Sequence, residues 1–382
     1  MSEGFDVIVV GTGGIGSAAA LQLARRGVRV LGLDRFPPAH GRGSSHGQTR
    51  LIRLAYYEHP DYVPLLLRAH GLWHALAADV GRELLVESGL AIAGPETGAV
   101  VAGTRRAADR HDLALERLTP AEAMARWPAL RIPADWVALH EPRAGYLRVE
   151  DCVRAQMAEA IRAGADLRHG LTVAGWEADA DAVRVTTDRG VFVADRLVLC
   201  PGAWAADLLR LPVPTCTVLR KSLFWFDPPA AARPLHAAGR LPCFAFDTPA
   251  GFCYGFPALD DRGVKLAEHT GGQPVADPLL VDRTIDAADA LRIDGWIDAH
   301  LPQLGHARTA HTVCLYTMSP DGHFLLGTHP DHEQVTIAAG FSGHGFKFAP
   351  VIGEAVADLA SCGRTLLPIG FLSPTRFGSA RD

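Results

Sequence analysis

Residues 5–34 read FDVIVVGTGGIGSAAALQLARRGVRVLGLD, and this stretch decides the fold. The β-branched run Phe5–Val10 is typical of a buried parallel strand, and the apolar stretch Ser17–Arg26 is typical of a helix. A second strand, Val28–Leu33, leads to Asp34 at its carboxyl end. Strand, glycine turn, helix and strand follow one another within about 30 residues, which predicts a βαβ unit with a parallel sheet.

The turn between the first strand and the helix has the spacing G-x-G-x-x-G. Gly11 permits the tight turn, Gly13 lets the backbone approach a pyrophosphate, and Gly16 lets the helix pack closely on the strand. The helix N-terminus directs a partial positive charge at the phosphates, and Asp34 can accept hydrogen bonds from the adenosine ribose. We therefore predict a dinucleotide site formed by Gly11, Gly13, Gly14, Ile15, Gly16 and Asp34.

The G-x-G-x-x-G motif alone does not distinguish NAD from FAD, because both dinucleotides use it. FAD is favoured by three features: the motif begins at residue 11, the nucleotide fold is interrupted by inserted segments, and glycine turns recur after strands ending at Cys200 and Ala339. The backbone N–H groups of a late glycine loop can receive the pyrimidine edge of a flavin. Further predicted FAD contacts are Ser44, Val173, Gly202, Gly343, Gly345, Phe346 and Lys347.

The predicted fold class is α/β (α+β), with a Rossmann-like FAD-binding domain of the glutathione-reductase-like type and a substrate domain with a large mixed or antiparallel sheet. We expect the FAD-binding domain to be discontinuous and the substrate domain to be inserted into it. The predicted FAD-binding segments are 1–85, 145–215 and 310–382, and the substrate domain takes 86–144 and 216–309.

Composition restricts the class of partner. The 382 residues are 48% hydrophobic and 21% charged, with a formal charge of −5, so the chain carries no basic field for nucleic acid or an anionic membrane. No apolar stretch approaches the ~20 residues of a membrane-spanning helix, and the N-terminus runs directly into a strand. We expect a monomeric cytoplasmic protein that acts on small molecules.

Cysteine and histidine spacing does not indicate a metal site. The 7 cysteines are scattered without a C-x-x-C pair, which also excludes a disulfide framework. The segment His329-Pro330-Asp331-His332 has ligand-like spacing, but no further ligand is clustered nearby, and its proline favours a polar turn. The prediction is that no metal is bound.

Several short blocks beyond the nucleotide motif make the chain recognisable along nearly its whole length. In their order and spacing they resemble the monomeric sarcosine oxidase and N-methyl-tryptophan oxidase family. The blocks are GQTRLIR at 47–53, YVPL at 62–65, MARWP at 124–128, YGFP at 254–257, CLYT at 314–317 and GFSGHGFKF at 340–348.

The resemblance implies how a flavin would be held. In the family the cysteine of the C-x-Y-T block bonds to the 8α-methyl carbon of FAD, and the matching residue is Cys314. Thr49 and Arg50 match residues beside the flavin ring, and His46 matches the histidine that precedes them. An arginine beside the ring would favour the reduced, anionic flavin.

The resemblance also implies the substrate side. Arg53 and Lys347 match the cations that bind a carboxylate, and Lys265 matches a lysine that holds water over flavin N5 and activates oxygen. Tyr254 and His269 match polar residues that line the substrate side. Further residues predicted at the substrate are Ala245 and Gly343.

The implied reaction is hydride transfer from a carbon attached to nitrogen onto the flavin. The imine is hydrolysed to amine plus aldehyde, and O2 is reduced to H2O2. The implied substrates are N-methyl or other secondary amino acids, which must react as neutral amines. Alternatives are an oxidase of cyclic imino acids such as proline or pipecolate, an FAD dehydrogenase with a quinone or protein acceptor, and a non-enzymatic nucleotide-binding regulator.

The chain departs from the family pattern at three places. Segment 45–50, SHGQTR, lacks one histidine and one acid of the family's His-His-Gly-Asp-Thr-Arg, and segment 56–60, YYEHP, replaces Tyr-Gly-Glu-Gly near the expected entrance. Ala245 stands where sarcosine oxidases carry a bulkier methionine. From Ala245 we expect a wider pocket and a substrate larger than sarcosine.

Overall fold

The predicted βαβ unit forms at the N-terminus of the computed structural model, which describes residues 4–211 and 216–378. The helix begins at Gly14, three residues before the predicted start, with Gly13 in extended conformation as its N-cap. The helices are α1 (Gly14–Arg25), α2 (Val63–Val80), α3 (Ala99–His111), α4 (Pro120–Arg126), α5 (Val149–Arg162), α6 (Ala205–Leu208), α7 (Arg233–His236), α8 (Ala287–His300) and α9 (Ala349–Cys362).

The described residues also form twenty strands. In chain order they are β1 (Phe5–Val10), β2 (Val30–Asp34), β3 (Thr49–Ile52), β4 (Leu85–Val86), β5 (Leu90–Gly94), β6 (Glu116–Leu118), β7 (Val137–Glu141), β8 (Gly145–Arg148), β9 (Asp166–His169), β10 (Val173–Ala178), β11 (Val183–Thr187), β12 (Gly190–Leu199), β13 (Thr217–Phe226), β14 (Cys243–Thr248), β15 (Gly251–Phe256), β16 (Val264–Glu268), β17 (Gln273–Val275), β18 (Arg308–Met318), β19 (Leu325–His329) and β20 (His332–Ala339).

The first sheet is the predicted Rossmann-like sheet. Its parallel centre has the order β9-β2-β1-β12-β20, and β10, β11 and β19 extend it by antiparallel pairing. Helix α1 packs against α5 and α9 on one face of this sheet. The contact with α9 is close, because Ala18 of α1 leaves no room for a Cβ at Gly353 of α9. Because β1, β2 and β12 are parallel, their carboxyl ends meet at one edge, which brings Gly11, Asp34 and Cys200 together.

The second sheet has nine strands and is largely antiparallel, as predicted for a substrate domain. Its order is β17-β13-β16-β15-β14-β5-β7-β6, and β18 pairs with β13. Among the described strands of this sheet, β14 and β5 form the one parallel pair. A small third sheet, β3-β8-β4, contains the strand that carries Arg50. The α/β (α+β) class is confirmed, whereas the exact domain boundaries remain a prediction.

Strand β18 ties the two large sheets together at the site. Strand β18 is hydrogen-bonded to β13 of the second sheet over Arg308–Met318. The predicted boundary at residue 310 instead assigns most of this strand to the nucleotide domain. Beyond it, His329 and His332 flank the turn of the β19–β20 hairpin, where the sequence favoured a polar turn. Among the residues with an assigned position, no helix is long and apolar enough to cross a bilayer.

Candidate functional site

One cavity of about 520 Å³ lies where the carboxyl edge of the first sheet meets the second sheet. Its walls include the glycine turn after β1, the end of β2, residues of β15 and β18, and the late glycine loop after β20. Its volume is within the range of sites for cofactors and small molecules. Predicted site residues that line it are Gly11, Gly13, Gly14, Ile15, Gly16, Asp34, Ser44, Arg50, Arg53, Val173, Gly202, Tyr254, His269, Cys314, Gly343, Gly345, Phe346 and Lys347.

The glycine turn fits a dinucleotide by steric criteria. A Cβ on Gly11 would lie 2.2 Å from the Cys200 carbonyl oxygen, and one on Gly16 would lie 1.7 Å from the Gly11 oxygen. A Cβ on Gly13 would meet only Ser45 Oγ, at 3.8 Å, on the side that opens into the cavity. Two glycines are therefore required by the packing of the turn, and Gly13 leaves space that phosphates can occupy.

Asp34 is held in position for a ribose. Its Oδ2 accepts from the Thr12 N–H at 2.7 Å, and its Oδ1 accepts from the Phe36 N–H at 2.9 Å. Because a carboxylate oxygen has two acceptor sites and Oδ2 also accepts from the Thr12 hydroxyl at 3.3 Å, it is Oδ1 that retains capacity for a ligand hydroxyl. The turn and this acid together are suited to the adenosine half of FAD.

The late glycine loop closes the cavity opposite the first turn. Gly343 has φ +80°, and a Cβ there would lie 2.2 Å from the Tyr316 ring. A Cβ on Gly345 would lie 2.5 Å from Phe341, and the Phe346 ring would lie 2.8 Å from a Cβ on Gly14. Gly343 and Gly345 are therefore required by packing around the late loop itself, and the contact of Gly14 with Phe346 brings the first turn close to that loop, so both can face one ligand.

Cys314 lies on β18 with its sulfur beside a cation. Arg50 Nη2 donates to Cys314 Sγ at 3.0 Å and to the Ser44 carbonyl at 2.8 Å. Ser44 Oγ in turn donates to the Leu315 carbonyl at 2.6 Å. The thiol is buried, and the guanidinium stabilises negative charge that develops on its sulfur.

Arg53 and Glu58 form a buried ion pair in the cavity wall. Arg53 Nη2 donates to both Glu58 carboxylate oxygens at 2.7 Å, and the guanidinium lies over the rings of Tyr56 and Tyr57 at 4.2 and 4.6 Å. Burial alone would raise the pKa of Glu58, but Arg53, followed by His344 and Lys347, lowers it to about 2. The substrate side therefore already contains one carboxylate bound to the predicted clamp.

Lys347 supplies the second predicted cation. Its Nζ donates to the His344 carbonyl at 2.8 Å and to Tyr56 Oη at 3.3 Å. Burial, with the nearby Arg53 charge, lowers the pKa of Lys347 to about 7. This lysine is therefore a cation whose charge depends on pH near neutrality.

A polar cluster lines the cavity between the flavin-side and substrate-side cations. His269 Nδ1 lies 3.3 Å from Tyr316 Oη, and burial lowers the pKa of His269 to about 3, so its imidazole is neutral. Tyr254 lines the cavity from β15. Behind them, Lys221 Nζ donates to the His269, Thr270 and Gly271 carbonyls and fixes this turn.

Three predicted residues lie one layer behind the cavity wall. Lys265 Nζ donates to the Gly47 carbonyl at 2.5 Å and to the carbonyl and hydroxyl oxygens of Thr49 at 2.9 and 3.1 Å. His46 Nε2 lies 3.1 Å from the Gly43 carbonyl, and burial lowers the pKa of His46 to about 3. The sequence predicted that these three residues contact the cavity, and the structure does not show that contact. The Lys265 and His46 side chains face backbone carbonyls, and the Thr49 hydroxyl accepts from Lys265.

The structure places Ala245, which was predicted at the substrate, outside the cavity lining. Ala245 lies on β14 opposite Tyr254 and is 1% exposed in a core cluster with Leu90 and Ile92, outside the residues that line the cavity. Its small side chain therefore does not widen the cavity. Ala245 therefore gives no support to the expected substrate larger than sarcosine.

Other cavity residues were given no role by the sequence reasoning. Glu58 and Tyr57 lie in the segment noted only as an altered entrance loop, and Tyr316 lies in the block that identified Cys314. Phe252 packs edge-on against Tyr57 at 5.7 Å between ring centroids. A carboxylate five residues after Arg53, in segment 56–60, was the available signal for Glu58.

Comparison with known proteins places this geometry in a family. The model of the family described as FAD dependent oxidoreductase matches residues 6–359. The chain is 42% identical to monomeric sarcosine oxidase of Streptomyces avermitilis over 100% of both chains, and 35% identical to N-methyl-L-tryptophan oxidase of Yersinia pestis over 98% of this chain and 99% of that one. The structure of NikD, an unusual amino acid oxidase essential for nikkomycin biosynthesis, superposes with a TM-score of 0.85 at 30% identity over 98% of each chain.

These matches extend along the chain, and the cavity has features that suit FAD, namely two glycine turns and a buried cysteine. The chain belongs to the FAD-dependent oxidoreductase family, in the group that contains monomeric sarcosine oxidase and N-methyl-L-tryptophan oxidase.

Proposed function

We propose that this enzyme oxidises the C–N bond of an N-methyl or other secondary amino acid and uses O2 as its electron acceptor. One observation carries the proposal: a single cavity is lined by the dinucleotide turn, by Cys314 and by the two cations Arg53 and Lys347. The names of the relatives support the substrate class, because sarcosine and N-methyl-L-tryptophan are both N-methyl amino acids.

The residues that would hold FAD extend from the first glycine turn to Cys314. When bound there, FAD supplies a hydride acceptor for the amine and an electron donor for O2. The proposed covalent attachment is a thioether at Cys314, because this sulfur lies 3.0 Å from the Arg50 guanidinium in the cavity wall. Arg50 would also favour negative charge on the reduced ring.

The substrate carboxylate would bind between Arg53 and Lys347. At Arg53 it would compete with Glu58, both of whose oxygens accept from Nη2 at 2.7 Å. A guanidinium has five N–H donors, so Arg53 can also share a substrate carboxylate with Glu58 while Lys347 compensates the second negative charge. This exchange makes substrate binding a competition between two carboxylates for one cation.

The same charges would keep the amine neutral. Arg50, Arg53 and Lys347 surround the substrate with positive charge, and the carboxylate nearest to them is Glu58, which is engaged by Arg53. Positive surroundings lower the pKa of a bound ammonium group. The His269 imidazole, 3.3 Å from Tyr316 Oη and with its pKa lowered to about 3 by burial, does not hold that proton, so the amine would lose it to solvent on entry.

Lys265 would assist the reaction with oxygen from behind the wall. Lys265 is buried, with 1% of its surface exposed. Its Nζ donates to oxygens of Gly47 and Thr49, which lie just before Arg50 in the sequence. A positive charge on Lys265 would stabilise the negative charge that O2 acquires when it is reduced. This role leaves Lys265 without contact to the amino acid.

The experiment is a peroxide assay of the FAD-loaded enzyme with N-methyl amino acids, cyclic imino acids and matching primary amino acids. Peroxide formation from N-methyl amino acids, with lower activity on primary ones, is the expected result. Faster turnover of proline or pipecolate would favour the cyclic imino acid oxidase, and electron transfer to a dye but not to O2 would favour a dehydrogenase. Absence of flavin reduction by every secondary amino acid contradicts the proposal.

The relatives named as monomeric also lead us to propose that this chain acts as a monomer. Light scattering of the FAD-loaded enzyme tests this by giving the mass of one chain or of a multiple.

A further inference from the structure

Outside the cavity, two histidines and a glutamate converge at the surface between α2 and β4. His70 and His74 are one helical turn apart on α2, so their side chains share one face, and Glu87 follows β4 directly. One nitrogen or oxygen atom from each of the three lies within 4.8 Å of the others. It is the one such group of three among residues 4–211 and 216–378.

The distances match neighbouring positions around a single ion. Glu87 Oε1 lies 3.1 Å from His70 Nε2 and 3.0 Å from His74 Nε2, and the imidazole centroids are 4.8 Å apart. Donor atoms that each lie about 2.0–2.2 Å from a shared zinc ion are separated by roughly 3 Å or slightly more. The three side chains can therefore ligate one ion without large movement.

The buried histidine is not satisfied by the glutamate. His70 is 2% exposed, and its Nε2 is buried without a hydrogen-bond partner even though the Glu87 oxygen is 3.1 Å away. The ring axis at Nε2 therefore points away from the oxygen. Ligands of one metal direct their lone pairs at a common centre, an arrangement that leaves His70 Nε2 unpaired in the absence of the ion, whereas His74 Nε2 forms a hydrogen bond with Glu87 Oε1 at 3.0 Å that an ion would replace.

We propose that His70, His74 and Glu87 bind a divalent transition metal ion of the zinc class. Two imidazoles and one carboxylate suit borderline metals such as Zn²⁺, Ni²⁺ and Cu²⁺ and disfavour Mg²⁺ and Ca²⁺. His74 and Glu87 are partly exposed, with 51% and 36% of their side-chain surface accessible, so water completes the coordination. The ion would link the middle of α2 to the segment after β4, apart from the cavity residues.

Arg143 limits the affinity of this site. Its Nη2 lies 3.3 Å from His70 Nδ1, the nitrogen that must carry the proton when Nε2 binds a metal. Metal-bound histidines normally donate that second N–H to a carboxylate, carbonyl or water, whereas Arg143 offers another donor and a positive charge. We expect micromolar binding in the natural sequence. Arg143→Gln, whose amide oxygen can accept the N–H, should bind more tightly.

The test is a calorimetric titration of the FAD-loaded, tag-free enzyme with Zn²⁺ after treatment with a chelator. One ion per chain should bind, and His74→Ala and Glu87→Gln should each weaken binding by about 10- to 100-fold. These two side chains are partly exposed, so both variants are expected to fold, and the flavin spectrum verifies it. The matched control is His306→Ala, which removes an exposed histidine 3.0 Å from Asp298 and should leave Zn²⁺ binding unchanged.

Two results would overturn the metal site. The first is Zn²⁺ binding of equal affinity and stoichiometry in the natural enzyme, His74→Ala and Glu87→Gln, or no binding in the natural enzyme. The second is an Arg143→Gln variant with unchanged or weaker Zn²⁺ affinity, because the assigned coordination through His70 Nε2 requires that removal of the opposing donor strengthens it. Tighter binding by Arg143→Gln, together with the two losses, supports the site.

Discussion

Glu58→Gln should strengthen the binding of substrate-like carboxylates. In the natural sequence both Glu58 oxygens accept from Arg53 at 2.7 Å, and an incoming carboxylate competes with them. Charged hydrogen bonds are worth about 1.5–3 kcal/mol and neutral ones about 0.5–1.5 kcal/mol, so the amide competes less by about 1–2 kcal/mol. That difference corresponds to a dissociation constant lower by about 5- to 30-fold.

The same substitution should destabilise the ligand-free enzyme. Arg53 is buried, and without the Glu58 charge its desolvation is no longer compensated, so the free energy of unfolding should fall by about 1–3 kcal/mol. A bound carboxylate restores the missing charge. The rise in melting temperature on ligand addition should therefore be larger for Glu58→Gln than for the natural enzyme.

The assay is a titration with propionate, which has the carboxylate but no amine to be oxidised, followed by the flavin absorbance and by thermal melting. The control is Glu83→Gln, which removes an exposed partner of Arg148, 61% accessible and absent from the cavity wall. An unchanged or higher dissociation constant for Glu58→Gln would refute the competition between carboxylates.

Three further predictions follow from the site. Because Lys347 has a pKa lowered to about 7 and is charged below it, propionate should bind more weakly as pH rises through about 7, and Lys347→Arg should remove this dependence in the same titration. Gly13→Ala should lose FAD affinity without changing the melting temperature of the FAD-free chain. Gly16→Ala, whose Cβ would lie 1.7 Å from a carbonyl oxygen, should lower that melting temperature. Equal behaviour of the two variants would contradict the assignment of Gly13 to the phosphates. Lys265→Met should slow reoxidation by O2 by about 10²- to 10³-fold in stopped-flow measurements, with a much smaller effect on anaerobic reduction, and an equal slowing of both steps would argue against its assigned role.

The nucleotide half of the fold was predictable because its signals are local. Gly11, Gly13, Gly16 and Asp34 act within one βαβ unit, where spacing alone determines which backbone atoms meet. The start of α1 was misplaced, because helical geometry already begins at Gly14 inside the motif, and the second strand begins at Val30, two residues after its predicted start. Local sequence therefore determined both the architecture and the chemistry of this end of the cavity.

The substrate half was predictable as a set of residues but not in its contacts. Whether Lys265 reaches the cavity or the Thr49 oxygens depends on how β16 packs against the segment before β3, which pairs residues 216 positions apart. Ala245 shares a sheet face with its cross-strand neighbours Tyr254 and Ile92 and is covered in their cluster, and no local pattern sets the register that brings these residues together. The Arg53–Glu58 pair likewise depends on a loop whose conformation is set by its surroundings.

The surface group on α2 shows the same limit. The spacing of His70 and His74 indicates a shared helix face, but Glu87 joins them only because β4 returns alongside α2. The sequence prediction that no metal is bound considered cysteine motifs and the segment His329–His332. It had no means of detecting a ligand set completed by tertiary structure.

The most direct test of the account is the mass and the denatured absorbance spectrum of the FAD-loaded chain, compared among the natural enzyme, Cys314→Ala and Cys243→Ala. Cys243 is a matched buried cysteine outside the cavity wall. The natural enzyme and Cys243→Ala should keep flavin absorbance after denaturation and have the mass of the chain plus FAD less two hydrogens, and Cys314→Ala should release all flavin. Complete release of flavin from the natural enzyme, or retention by Cys314→Ala, would contradict the placement of the flavin ring beside Cys314.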